Sequence, residues 1–198
     1  MTKAQLNTFL DGFKLTSTDE TTDVGAADVK RKMLAIYIKK GSDSNAAYEL
    51  LGYRKEEMSI ASNNDTSNLT DVNGFHYTDF NGKDESIEMS EYRTNPANTK
   101  FLEEAIKLKI SDQEEDMQDY SVLIVRGYLR DTNSKCLAIE QTDCTVLLDN
   151  EGGQSYVTND VTINLSGKKT YGTVEEIVKV PTFTPYTPAK QPAAKTNL

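Results

Sequence analysis

Tyr156-Val-Thr-Asn-Asp-Val-Thr-Ile-Asn-Leu165 places Val157, Val161, Ile163 and Leu165 on one side of an extended chain and polar residues on the other. Alternation with period two is the mark of a strand with one buried face. Past Ser166-Gly167, residues 169–178 read as a closing strand. Upstream, residues 135–141 (KCLAIEQ) and 143–149 (DCTVLLD) read as two further strands, and Tyr120-Ser-Val-Leu-Ile-Val-Arg-Gly-Tyr-Leu129 reads as a buried one. Met33-Leu-Ala-Ile-Tyr-Ile38 is rich in strand formers and opens the set, and a short strand is expected near Met58 and Ile60. Asn81-Gly82 supplies the positive φ angles of a tight hairpin, so residues 75–80 and 83–92 are expected to be its two arms. The polar stretch 61–74 (ASNNDTSNLTDVNG) reads as a long loop.

Helical spacing is rarer. Asn95-Pro96 can cap a helix whose apolar stripe is Phe101, Leu102, Ala105, Ile106 and Leu108. Leu6, Phe9, Leu10 and Phe13 give a second, shorter face within residues 2–14. The expected architecture is mainly β, a sandwich or barrel of antiparallel strands flanked by one helix. Residues 1–32 are expected as an N-terminal extension, in which 15–28 are a polar linker and the short helix docks on a neighbouring subunit. Residues 33–180 form the β domain. Residues 181–198, holding all but one of the five prolines, form an extended or disordered tail.

Composition narrows the function. The 198 residues leave room for one domain plus appendages. A net charge of −9 disfavours a dedicated binder of phosphate backbones or anionic lipid. No stretch approaches the apolar length of a membrane span or a secretory signal, and two cysteines are too few for a disulfide framework. The chain therefore reads as made in a reducing cytoplasm, with Cys136 and Cys144 as free thiols.

Catalytic parts are scarce. His76 is the one histidine and sits between aromatic residues in an expected strand, so it reads as an ordinary edge residue. Cys136 and Cys144 lack zinc-knuckle spacing. Ser166-Gly167-Lys168-Lys169-Thr170 lacks the upstream glycine of a phosphate loop and has Lys169 where Ser or Thr is needed. Asp112, Glu114, Glu115, Asp116 and Asp119 lack the spacing of a calcium loop and read as a solvated linker. The reading is a structural protein rather than an enzyme, with no cofactor and no metal.

Several segments in series carry a resemblance: AIYIKKGSDS, then YELLG…MSIASNNDT, then FHYTDFNGKDESIEMSEYRTNP, the helix TKFLEEAIKL, and VTNDVTINLSGKKTYGTV. Over residues 33–178 the chain resembles the major tail proteins (tail tube proteins) of siphophages infecting Gram-positive bacteria. That resemblance implies hexameric rings stacked into a hollow tube, in which the inner sheets of neighbours join around a channel. Genomic DNA passes through the lumen without specific binding. It also implies a place in the virion tail and, as partners besides the chain itself, the tape measure, tail terminator and distal tail proteins.

Two sets of residues follow as candidates. Asp79, Asp84, Glu85, Glu88 and Glu91 on the expected hairpin would line the channel with negative charge, only one alternate set of them facing it. Asn63, Asn64, Asp65, Asn68 and Asp71 in the polar loop would reach the adjacent ring. Competing readings are a contractile-type tube or tail-completion protein on the same fold, and a host-surface or carbohydrate-binding sandwich. The last predicts an exposed aromatic cluster, whereas the ten tyrosines are dispersed and tryptophan is absent.

Overall fold

A computed structural model describes residues 1–16, 31–41, 47–52, 58–70, 73, 76–93 and 100–188. Along the chain the elements are α1 (Lys3–Leu10), β1 (Lys14–Leu15), β2 (Leu34–Lys40), β3 (Glu49–Leu50), β4 (Ser59–Thr70), β5 (His76–Arg93) and α2 (Lys100–Ile110). They continue with β6 (Tyr120–Arg130), β7 (Cys136–Gly152), β8 (Thr158–Asn164), β9 (Lys169–Val174) and β10 (Thr184–Pro185). Two short 3-10 turns, Arg31–Met33 and Glu114–Met117, lead into β2 and β6.

The strands are antiparallel throughout, and β7 organises them. Its first half, with β6 on one side and β9 on the other, belongs to a first leaf ordered β3-β2-β6-β7-β9-β10; β1 prolongs the line of β2 along β6. Its second half belongs to a second leaf ordered β7-β8-β5-β4. The expectation of two strands at 135–141 and 143–149 is therefore corrected to one long strand. The break read at Thr142 is real, but it is a corner. Thr142 and Asp143 together lie opposite Ser121 of β6, one residue more than the ladder needs, and Asp143 takes φ 57°. An inserted residue bends a strand and steepens its twist, which lets one strand serve both leaves.

Residues 165–168 turn the same corner between β8 and β9. Leu165 O accepts a bond from the buried Gln141 amide, Thr142 N donates to Lys168 O at 3.2 Å, and Ser166 Oγ donates to Asp143 O at 3.2 Å. Gly167 is required by close approach: a Cβ there would lie 1.7 Å from Thr142 O. The outer strands β3 and β4 do not pair, so the sheet stays open and the barrel alternative is corrected to a folded, two-leaf sandwich.

The main core lies between the leaves. Ile36, Ile38, Val122 and Ile124 from the first meet Ile87, Met89, Val146, Leu148, Val161 and Ile163 from the second. Phe101, Leu102 and Ala105 of α2 fill the same layer, matching the stripe seen in the sequence. β8 shows the alternation that opened the sequence reading, with Asn159, Val161 and Ile163 buried between half-buried neighbours.

A second core covers the far side of the first leaf. Ala35, Tyr37, Leu123, Val125, Cys136, Ala138 and Val174 pack there under Tyr48, Ile177 and Phe183. Tyr37 donates its hydroxyl to Val178 O at 2.8 Å, and Lys39, buried in that face, lies 3.6 Å from Glu140 and over the Tyr48 ring. Burial pushes the Tyr37 phenol up to about 12, with the nearby Cys136 adding to it against the lowering bond to Val178.

The N-terminal helix forms as expected, closed by a capping box in which Thr2 and Gln5 bond each other's main chain. Phe9 stacks on Tyr186 at 4.4 Å, so this face rests on the chain's own C-terminal segment. Thr16 N donates to Tyr128 O and Tyr186 N to Tyr171 O, so residues on both sides of the expected boundaries at 33 and 180 lie on the β body. The expected helix cap at Asn95-Pro96, linker residues 17–28 and tail residues 189–198 lie outside the described residues.

Candidate assembly surface

The hairpin read at Asn81-Gly82 is corrected by the register. β4 pairs with β5 from Ser59↔Glu88 to Thr70↔His76, so the chain between the two strands is residues 71–75 and Asn81-Gly82 lies inside a strand. The pairing steps from Asp65↔Gly82 to Thr66↔Phe80, which leaves Asn81 as an extra residue in a bulge. Gly82 has open space around it and no left-handed φ, so this glycine serves the bulge without forming a turn. The polar loop expected at 61–74 is corrected with it: Asn63, Asn64, Asp65 and Asn68 are strand residues opposite Asp84, Lys83, Gly82 and Thr78. Asp71 lies outside the described residues.

β8 pairs with β5 only over Ser86–Arg93. Beyond that point β4 and β5 continue alone, from Ser62↔Glu85 outward, as a two-stranded ribbon. Asn63, Asn64, Asp65 and Thr66 on it are exposed.

Strand alternation sorts the acidic candidates. Ile87 and Met89 face the core, so Ser86 and Glu88 face outward, and Asp84 shares their side. Glu85 points the other way, where it accepts a bond from Lys169 and lies 2.7 Å from Lys83. Burial alone would raise its carboxyl, but the bonds and charges of Lys169 and Lys83 outweigh that and hold it below the ordinary value. Position 79 pairs with Ser67; its side chain is outside the described set. Glu91 is exposed and takes φ 52°.

Glu91 belongs to a feature that sequence reading missed. Both neighbours of β8 carry extra residues at one level: Ser90 and Glu91 in β5, and Asp149 and Asn150 in β7, lie opposite Asp160. Asp160 serves both bulges, since Oδ1 accepts from Glu91 N at 2.7 Å and Oδ2 from the Asn150 amide at 2.8 Å. Paired bulges curve the second leaf at that level. Nothing in the local pattern around Asn159-Asp160 signals this, because the feature arises from register across three strands.

The outer face of the second leaf presents Thr145, Leu147 and Asp149 from β7, Asp160, Thr162 and Asn164 from β8, Asp84, Ser86, Glu88 and Ser90 from β5, and Ser59 and Ala61 from β4. These residues are mostly hydroxyls, amides and acids, and the exposed Arg93, which alternates with buried Tyr92 and pairs with Thr158, adds a base at one end of this face. Among the described residues no strand pairs with the outer edge of β4, nor with β7 along residues 145–152 opposite β8. β7, β8, β5 and β4 alternate in direction, so the two edge strands run in opposite senses. Both thiols are buried, and burial holds Cys144 up at about 12. Among the described residues no three His, Cys, Asp or Glu side chains are placed to hold a metal, and no helix is long and apolar enough to cross a membrane.

No protein-family model and no curated protein sequence matches the chain. Among solved structures it is similar to a chain of the PVC sheath–tube complex of an extracellular contractile injection system in the extended state. That match has 12% identity and a TM-score of 0.43, over 70% of this chain and 88% of the other. It is also similar to the anti-feeding prophage cap, a tube terminating cap, at 12% identity and a TM-score of 0.41, over 78% and 96%. Superpositions this loose leave the functional reading to rest on the geometry of the second leaf.

Proposed function

We propose that the chain is a structural subunit of the tail-tube type, closing into rings through the two edges of its second leaf and stacking into a hollow tube. The observation that carries this reading is the second leaf itself: a sheet with one largely polar face and, among the described residues, two unpaired edges of opposite direction, β4 and β7 over residues 145–152. Rotation about a ring axis preserves strand direction, so β4 of one copy meets β7 of the next antiparallel. A head-to-tail contact of this kind closes without leaving an edge.

In the finer form implied by the sequence resemblance, the rings are hexameric, the tube belongs to a siphophage tail, and DNA leaves through it. The outer face of the second leaf then lines the channel. Asp84 and Glu88, with Asp149 and Asp160, repel phosphates and keep DNA from adhering. Glu85, tied to two lysines on the opposite side, is not part of that lining. The ribbon bearing Asn63, Asn64, Asp65 and Asn68, with Asp71 near its tip in sequence, reaches the adjacent ring. Tape measure, terminator and distal tail proteins would be the further partners.

Electron microscopy of the purified protein, before and after concentration, is the test. Rings or hollow tubes are expected, with the second leaf on the bore in a cryomicroscopy map; the same leaf on the outside would overturn the channel assignment. Replacing residues 63–84 with a two-residue Asn-Gly turn between Ser62 and Glu85 should leave folded subunits that do not grow into long tubes. Tubes of normal length would remove the ribbon's inter-ring role.

A further inference from the structure

The two open edges are not equally open. In the last turn of α2, Lys107 pairs with Glu103 of its own helix at 2.6 Å. Lys109 does something else. Its ammonium reaches β7 and donates to Leu148 O at 2.5 Å and Asp149 O at 3.0 Å. Consecutive carbonyls of a regular strand point in opposite directions, and the β7 bulge between Leu148 and Glu151 is what lets one ammonium serve both. Among the described residues Lys109 meets no carboxylate, so its charge is spent on main-chain acceptors of an open edge.

We propose that Lys109 is a removable guard on the outer edge of β7, and that the occupant displacing it is β4 of a second copy. This rests on the ring-closing reading above. A charged side chain laid over a sheet edge blocks strand addition, and the carbonyls it covers are the acceptors that an incoming strand's N–H groups require. The seat has apolar flanks: Leu147 is 41% exposed on the outer face, and Ile110, the next residue of α2, is 75% exposed.

β4 suits the seat. It runs antiparallel to the neighbouring β7, contains no lysine, arginine or proline, and brings half-buried Ile60 and Ala61 to the contact. Its one charged residue, the exposed Asp65, has the sign a displaced ammonium attracts. A single guard on one of two complementary edges keeps the free subunit from polymerising, yet leaves the contact available once a growing end presents a strand in register.

The test is binding of a fluorescent peptide with the sequence of residues 58–71 to the full-length protein, held below the concentration at which it assembles. Wild type is compared with Lys109→Met, which keeps the apolar stem and removes the ammonium. The methionine variant should bind about tenfold tighter, the scale set by charge-assisted bonds to two carbonyls, and its assembly lag should shorten by a similar factor. Lys109→Arg, which retains the charge, should behave as wild type and serves if the methionine variant does not fold. An arginine variant that binds the peptide as tightly as an uncharged one is expected to bind would overturn the guard. Equal binding to wild type and Lys109→Met, or no binding to either, would overturn it as well. Tighter peptide binding by Lys109→Met with neither protein forming rings would keep the guard and sink the ring-closing reading instead.

Discussion

The two leaves share β7 and are built from similar strands, yet one is sealed and the other is not. In the first leaf both faces are buried: β2 and β6 carry continuous buried runs, one side packing on the second leaf and the other under Tyr48, Ile177 and Phe183. Its borders are blunt, since β3 and β10 are two residues long and Pro185 has no N–H to offer. The second leaf has one buried face, one polar face, a 12-residue edge strand and a guarded edge on β7. Sheets in single subunits manage their edges, so a leaf left open beside a leaf so thoroughly closed is what supports the proposal that copies meet there.

The comparison depends on the corner that separates the leaves, and Gly167→Ala attacks it most directly. The added Cβ would fall 1.7 Å from Thr142 O and 2.6 Å from its carbon, main-chain atoms that cannot rotate away. A loss of about 2–3 kcal/mol is expected in urea unfolding. Unchanged stability would mean that the corner yields, and that the leaves are less independent than they look.

Asp160→Ala sharpens the contrast by disturbing one leaf alone. It removes the acceptor of Glu91 N and of the Asn150 amide, at a cost of about 1–2 kcal/mol. Hydrogen exchange should quicken around residues 86–93 and 148–161 while β2 and β6 keep their protection. If both leaves loosen together, the molecule has a single cooperative sheet and the division between sealed and open parts has no dynamic counterpart.

The sealed leaf was the legible one. Residues 120–129 and 33–38 announce themselves because strands buried on both faces must be apolar throughout, and α2 follows from its stripe. The open leaf hid where its strands are polar. Residues 61–70 have almost no strand formers, and they become a strand because β5 offers a ladder beside them, which is a tertiary cause. Asn81-Gly82 carries a turn signal, but a bulge uses the same residues, and only the register decides between them. Alternation did separate Asp84 and Glu88 from Glu85, as the strand period requires. Asp160 and Lys109 were invisible, the first because three strands create its role and the second because its partners are carbonyls.

The smallest effect expected is also the one that crosses between the leaves. Glu85 stands on β5 in the second leaf and Lys169 on β9 in the first, with Lys83 completing the group and Leu165 N donating to Glu85 O at 2.9 Å. Because the folded carboxyl titrates below its ordinary value, the stabilisation is complete above the pKa it has in the unfolded chain. It is lost as pH falls through the lowered folded value. Glu85→Gln should therefore be less stable than wild type at neutral pH by no more than about 1 kcal/mol, as suits a partly exposed ion pair. The gap should close on acidification below the ordinary glutamate range. A gap that persists at low pH would mean that Glu85 joins the leaves through packing and main-chain bonding, with its charge contributing nothing, and the corner would then be mechanical throughout.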